Sequence, residues 1–440
     1  MTIAANIAAH KTEALLFFTL LQLTVIVLAA RIGGTLALRI GQTAAVGEII
    51  VGILLGPSLF GLLAPELFQY VFHSGTPEPM QILSQIGLVL LMFQIGLEFD
   101  FSHLSEQRNR KAMLWVAAAS LIAPFALGYG IGHISAPILS PNAHPVVSAL
   151  FIATAFSITA LPILGRIMME FDMTRTSIGV IAISAAAIND VIGWLLLALI
   201  TTLTVSHFDG GSFALKVGFV LLFFAVSWFA VRPLMKRILH HFDARSGALT
   251  PNLLGIVLAA IFVSAMTTYQ LGIFAIFGGF MMGVLLHDEH AFVATWRKRI
   301  GPFVMVFFLP IFFTYTGLRT NIGSLDSASA WGWCVLIVAL ATLGKFGGAY
   351  LAARFARLSH NEGKILGVMM NTRALMELIV INVGYDLGVI SQQMFTILVI
   401  MAIFSTVITS PLLRRWLPLV GIPIPVISPP LPRTPYHQQR

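Results

Sequence analysis

Charge is what this chain has least of. Only 10% of its 440 residues are Asp, Glu, Lys or Arg, against about 25% in ordinary soluble domains, which excludes a soluble enzyme with a normal water-facing surface. The single cysteine, Cys334, lies inside an apolar run, so a disulfide framework and a thiolate metal site are both excluded. Histidines such as His240, His241, His287 and His290 fall in loops or at the ends of apolar runs, leaving no buried Ser-His pair and no histidine metal site. Two facing intramembrane aspartates, the minimum for an aspartyl protease, are also missing. Gly52, Gly56, Gly278, Gly279 and Gly283 adjoin no strand and suit tight helix contacts rather than phosphate binding. The chain is therefore expected to be no enzyme and to carry no cofactor.

Apolar length is what it has in excess: 58% of residues are hydrophobic and the mean hydropathy is +0.90. Thirteen spans of about twenty residues would use roughly 260 positions, close to the apolar share, so the chain reads as an all-α polytopic membrane protein. The spacing of polar punctuation predicts helices over 14–34, 44–63, 81–98, 112–134, 145–166, 176–204, 213–239, 251–267, 270–287, 301–317, 331–353, 363–384 and 391–413. The first is too long for a cleaved signal and is read as retained. An odd number puts the two termini on opposite sides.

Basic residues test that count, because Lys and Arg collect in cytoplasmic loops. Alternate loops and the tail hold Arg31, Arg39, Arg108, Arg110, Lys111, Arg166, Arg175, Arg232, Lys236, Arg237, Arg245, Arg297, Lys298, Arg299, Arg354, Arg357, Lys364, Arg414, Arg415, Arg433 and Arg440. The opposite side holds Lys11, Lys216 and Arg319. This bias predicts an external N-terminus and a cytoplasmic C-terminus, and it explains a net charge of +8 without nucleic acid. The transmembrane part is expected to cover 1–417. Residues 418–440 carry seven prolines and little to bury, so they are expected to form a short disordered tail rather than a soluble domain.

Three weak matches recur in one order across the halves. LMFQIGLEFD (91–100) is similar to FFTYTGLRTN (312–321), LGYGIG (127–132) to LGKFGG (343–348), and SITALP (157–162) to NTRALM (371–376). The copies lie seven runs apart, an odd shift that inverts the second copy. Inverted repeats are a hallmark of secondary transporters, whose sites form where broken helices of the two halves meet at mid-membrane. Ser157, Thr159 and Pro162 are positioned to interrupt the fifth run, and Asn371, Thr372 and Arg373 the twelfth.

Among the acids, Glu48, Asp190 and Glu377 fall clearly within runs, and Asp190 alone is central. A carboxylate at a helix centre costs roughly 2.5 to 3.5 kcal/mol on insertion scales, so its default reading is functional. The low dielectric penalises the bare anion, and a proton or a bound monovalent cation relieves the penalty. Two positive species compete for one oxygen pair, which is the minimum chemistry of an exchanger. Asn189 offers an amide whose oxygen can ligate a cation or whose nitrogen can orient the acid. Thr154, Ser157, Thr159 and Ser184 either complete an oxygen shell or repair backbone hydrogen bonds. Lys345, flanked by Gly344, Gly347 and Gly348, should seek a carboxylate or titrate itself. Arg373 and Glu377 are spaced to neutralise each other on one helix face, or to serve the helix ends around the site. Glu48 and Glu98 lie towards run ends and read as interfacial or structural.

GEIIVGILLGPS (47–58), GLEFD (96–100), SITALPILGRI (157–167), AAINDVIGW (186–194), LPIFFTYTGLRTNI (309–322) and MNTRALMELIVINVG (370–384) resemble the monovalent cation:proton antiporter-2 family. Within it they are most similar to Asn-Asp members, which include plant cation/proton exchangers and bacterial relatives. The resemblance implies a sodium/proton antiporter-like fold of thirteen helices, with helices five and twelve crossing as broken helices. It further implies a dimer scaffold, here roughly 14–98 and 251–317, and a core, roughly 112–204 and 331–413, that slides against it as an elevator. Asp190 becomes the ion and proton carrier and Asn189 its neighbour. Lys345 takes the place of a core lysine that pairs, in electrogenic members, with an acid where Asn189 stands. The implied activity is exchange of K⁺ or Na⁺ for H⁺ by a homodimer in a bacterial inner membrane; the Asn-Asp form resembles electroneutral exchange, a titrating Lys345 would permit two protons per cycle, and the choice among K⁺, Na⁺ and Li⁺ is open. The chain departs from glutathione-gated potassium efflux systems, which have Gln-Asp here and a nucleotide-binding tail. A cation channel or potassium efflux pathway with Asp190 lining a pore is the alternative.

Overall fold

The computed structural model describes residues 2–73, 78–98, 106–173, 176–205, 210–242, 249–271, 275–373 and 375–424. Among these residues every regular element is helical, as expected for a chain that must satisfy its backbone internally in lipid. The main helices are α1 (Thr2–Arg39), α2 (Ala44–Leu54), α3 (Glu78–Glu98), α4 (Gln107–Leu139), α5 (Pro145–Ser157), α6 (Leu161–Glu170), α7 (Ser177–Val205), α8 (Gly210–Val226) and α9 (Arg232–His241). They continue as α10 (Pro251–Gln270), α11 (Ala275–Leu286), α12 (His290–Arg299), α13 (Leu309–Arg319), α14 (Ala328–Phe355), α15 (His360–Met370), α16 (Leu375–Asp386) and α17 (Gln392–Trp416). Nine helical stretches among the described residues are long and apolar enough to cross a membrane, and α2, α5 and α11 are shorter apolar helices.

Local chemistry moves several expected boundaries. The helix predicted over 44–63 stops at Leu54, where Gly56 and Pro57 follow, and the chain continues as short turns through Phe60–Leu63 and Pro65–Phe68. Pro233 and Pro310 lack the amide of a regular turn, and each follows a π-helical turn, Ser227–Val231 and Val304–Phe308 respectively. The expected tail at 418–440 starts differently: Leu417–Val420 is a short 3₁₀ turn, and Ile422 and Ile424 pack on the core. Residues 425–440 lie outside the described residues, as does the 99–100 end of the first repeat match.

Glycines set the closest helix crossings. A Cβ at Gly317 of α13 would stand 2.1 Å from the Gly52 carbonyl oxygen of α2, so that contact needs glycine. Gly344 and Gly348 of α14 meet Pro124 and Ala119 of α4, whereas Gly347 faces open space and takes no part in this approach. Gly278, Gly279 and Gly283 of α11 pack equally tightly against α10 and α3.

The fifth and twelfth predicted runs are both interrupted where their polar residues stand. Helix α5 ends at Ser157 and α6 begins at Leu161, while α15 ends at Met370 and α16 begins at Leu375. The two interruptions touch: the Ala160 amide donates to the Thr372 carbonyl at 3.0 Å, and the Thr159 hydroxyl donates to the Met370 carbonyl at 3.3 Å.

Candidate functional site

A helix that stops inside a protein leaves its last four carbonyls without intrahelical donors and presents the negative end of its dipole. At the end of α5 each of those carbonyls finds a donor. Thr154 accepts from the Ile158 amide at 3.2 Å. Ala155 and Phe156 accept from the two terminal nitrogens of Arg373, both at 2.8 Å. The Ser157 carbonyl accepts from Lys345 Nζ. Arg373 also donates to the Ala341 carbonyl of α14 at 3.2 Å and contacts Glu377 at 3.4 Å. Arg373, Glu377 and Lys345 are all fully buried. Arg373 and Glu377 do meet, but the shortest bonds of the guanidinium go to α5.

Lys345 has a second acceptor, and the sequence of α4 explains why it is free. Pro124 stands four residues after Ser120 and has no amide to donate to the Ser120 carbonyl. Lys345 Nζ fills that gap at 2.9 Å. The same serine uses its hydroxyl oxygen to accept from Asn189 Nδ2 at 2.8 Å, and passes its own proton to Ala117 O at 3.3 Å. Ser120 thus ties α4 to α7 and α14 at one point. Neither Ser120 nor Pro124 stood out in the sequence, although a serine four residues before a proline in an apolar helix is a readable signal of an unpaired carbonyl.

With its nitrogen committed to Ser120, Asn189 keeps its Oδ1 free of hydrogen bonds. Both carboxylate oxygens of the adjacent Asp190 are likewise buried without a hydrogen-bond partner, and the residue is 3% exposed. Three unpartnered oxygens therefore stand on consecutive residues of α7. Lys345 interacts with Asp190 electrostatically but is not in ion-pair contact with it, since its donors go to the Ser120 and Ser157 carbonyls. The carboxylate partner anticipated for this lysine is replaced by backbone oxygen.

The remaining candidates are buried but differently engaged. Thr154 donates to Leu150 O at 2.9 Å, Ser157 to Ala153 O at 2.8 Å and Leu121 O at 3.1 Å, and Thr159 to Met370 O. These hydroxyls give their protons to backbone carbonyls while their oxygens keep lone pairs, which is compatible with both readings. Ser184 is buried on α7, and no hydrogen bond joins it to Asp190 among the described residues. Of the two readings of Glu48, the structural one fits: it is fully buried on α2 and pairs with Arg31 of α1. The side chain of Glu98 lies outside the described residues. Sequence reasoning also missed Thr406 and Thr409 of α17. Thr406 donates to the Arg373 carbonyl and accepts from the Arg373 amide at 3.2 Å, and Thr409 meets Thr372 at 3.4 Å.

Comparison with known proteins places this arrangement in a family. The sodium/hydrogen exchanger transmembrane family matches residues 25–417, a stretch that contains both helix breaks and every residue of the site. The chain belongs to this family. It is 38% identical over 405 residues to the Na⁺/H⁺ antiporter NhaS4 of Synechocystis, covering 92% of this chain and 98% of that protein. It is 36% identical to cation/H⁺ antiporter 17 of Arabidopsis thaliana over 89% of this chain, and spans 47% of that longer protein. The fold is that of the sodium proton antiporter MjNhaP1 from Methanocaldococcus jannaschii, with a TM-score of 0.59 at 14% identity over 91% of this chain and 97% of that one. As a monovalent cation:proton antiporter family member with a multi-pass fold, helical in every regular element of its described residues, this chain carries the buried Asp190 on α7, beside the meeting point of its broken helices.

Proposed function

We propose that this protein is a secondary active antiporter that exchanges K⁺ or Na⁺ for H⁺, with Asp190 taking the two in turn. The observation that carries the reading is the Asp190 carboxylate, buried with neither oxygen hydrogen-bonded, next to the free Oδ1 of Asn189. An isolated buried anion is strongly penalised, so the loaded forms, protonated or cation-bound, cross the barrier and the empty form does not. That coupling is antiport. Lys345 is occupied by two carbonyls, and in this reading Asp190 alone exchanges its partner; one cation then moves for each proton, without net charge.

In this reading thirteen spans place the N-terminus outside and the C-terminus in the cytoplasm of a bacterial-type inner membrane. Residues 14–98 and 251–317 form the scaffold of a homodimer, and 112–204 with 331–413 form a core that moves as an elevator. The names of the relatives, Na⁺/H⁺, cation/H⁺ and K⁺/H⁺ antiporters, support the ion class.

The test is cation-driven proton flux in proteoliposomes of purified protein, with Na⁺, K⁺ and Li⁺ each at several pH values. Asp190→Asn is expected to abolish exchange; exchange at the wild-type rate by that variant would reject the carrier assignment. Cation flux that ignores an opposing pH gradient would favour a channel, and exchange that follows a clamped membrane potential would contradict electroneutrality.

A further inference from the structure

A cavity of about 600 Å³ opens between the first turn of α4 and the end of α14, far along both helices from the polar crossing around Asp190. Arg108, Lys111 and Arg357 line it, together with Gln107, and no acidic side chain among the described residues does so. None of the three cations is ion-paired among the described residues. Trp115 and Phe355, which also line the cavity, are 59% and 79% exposed. Three further features favour an anion there. The carboxylate of Glu106, which precedes α4, accepts from Asn109 Nδ2 at 2.9 Å and caps no backbone amide, so among the described residues the first-turn amides of a 33-residue helix have no side-chain acceptor. Arg357 sits in the left-handed region with φ 63°, a conformation that normally selects glycine after a helix, so an arginine is held where a smaller residue fits more easily. In the proposed topology all three cations fall at helix ends on the side that carries the strong basic bias, which puts the cavity on that side.

We propose that this cavity binds the phosphate headgroup of an anionic phospholipid. A phosphate between Arg108, Lys111 and Arg357 gains charge-assisted hydrogen bonds from two guanidinium forks and one ammonium. A lipid fits better than a soluble anion because Trp115 and Phe355 would otherwise be left bare at the level of the headgroups, where aromatic side chains favour the boundary between acyl chain and water. Helices α4 and α14 both contact the Asp190 network, through Ser120 and Lys345, so a lipid bridging their ends braces the two helices that hold the site.

Titration of the detergent-purified full-length protein with phosphatidylglycerol and with phosphatidylcholine, read by native mass spectrometry, tests this without any ion flux. Its result is therefore separate from that of the antiport assay. Phosphatidylglycerol is expected to bind at least about tenfold tighter than phosphatidylcholine. Each basic residue near an anionic headgroup contributes roughly fivefold, so the triple variant Arg108→Ala, Lys111→Ala, Arg357→Ala should lose about a hundredfold and each single variant about fivefold. The charge-preserving variant Arg108→Lys, Lys111→Arg, Arg357→Lys should keep most of the preference. Replacing the exposed trio Arg297, Lys298 and Arg299 of α12 by alanine should leave it unchanged. Equal binding by wild type and the alanine variants overturns the proposal, as does an equal loss from the α12 control, which would mean diffuse charge attraction. Displacement of the lipid by millimolar inorganic phosphate would assign the cavity to a soluble anion instead.

Discussion

The two half-helices that end at the crossing solve the same problem by different means. Both α5 and α15 stop in the interior and must find donors for their last carbonyls. At α15 the donors are neutral: the Asn371 and Thr372 amides reach back to Gly367, Val368 and Met369, and the Thr159 hydroxyl reaches Met370. At α5 three of the last four carbonyls take their protons from buried cations, Arg373 and Lys345. The difference shows where positive charge is built into the fold. It lies at the α5 end, next to the network that holds Asn189 and Asp190, and its cost of burial is met by backbone dipoles rather than by the acid. Asp190 is thereby left free of a permanent partner.

This contrast predicts that the α5 end is the fragile one, and Arg373 is the sharpest place to break it. Removing one partner from a buried charge network leaves its carbonyls and Glu377 without compensation, at a cost of roughly 3 to 5 kcal/mol. Arg373→Met should therefore lower the unfolding midpoint in mixed micelles more than any other substitution at the crossing. Arg373→Lys should recover less than half of that loss, since one ammonium cannot span the Ala155, Phe156 and Ala341 carbonyls. Glu377→Gln keeps all three carbonyl bonds and should cost clearly less than Arg373→Met. Equal losses from the two would mean that mutual neutralisation, not the end of α5, is the main role of the pair.

Lys345 should rank second. Lys345→Met strands the Ser120 and Ser157 carbonyls, each worth about 1 to 3 kcal/mol when buried and unpaired, but it also removes the cost of burying an ammonium. The net loss is expected near 1 to 3 kcal/mol by the same unfolding measurement. A pairing of Lys345 with Asp190 would behave otherwise: Asp190→Asn would then destabilise the protein about as much as Lys345→Met. Because Asp190 makes no hydrogen bond, its amide variant is instead expected to unfold at or above the wild-type midpoint.

Much of this was legible in the sequence, and the residues show why the rest was not. Hydropathy located the helices, and hydroxyl, amide and proline residues at 157–162 and 371–373 marked both interruptions, because local backbone chemistry decides where a helix stops. The centrality of Asp190 followed from its distance to the run ends alone. The engagement of Arg373 with α5 did not follow, since spacing of four residues shows its neighbour on α16 but not the helix packed across from it. The link from Ser120 to Asn189 and Lys345 needs three helices to meet, and one-dimensional patterns carry no such information. Glu48 met the same limit: its place near a run end left it interfacial or structural, and only the packing of α1 on α2, which buries it against Arg31, gives it the structural role. The stop at Leu54 was readable from Gly56 and Pro57, but a continuous apolar run outweighed that signal in the reading.

Thr159 gives the smallest effect and so the cleanest check on the contrast. Its hydroxyl is the side chain that serves the α15 end, donating to Met370 O at 3.3 Å, and the bond is neutral and slightly long. Hydrogen bonds between helices in membrane proteins average about 0.6 kcal/mol, because the unfolded state in the membrane also finds partners. Thr159→Val, which preserves shape and removes only the donor, should shift the unfolding midpoint by no more than that energy allows. The backbone bond from Ala160 to Thr372 remains to hold the two interruptions together. A loss from Thr159→Val as large as that from Lys345→Met would show that the two ends depend equally on their side-chain donors, and that the buried cations at α5 serve the transported charge rather than the helix end.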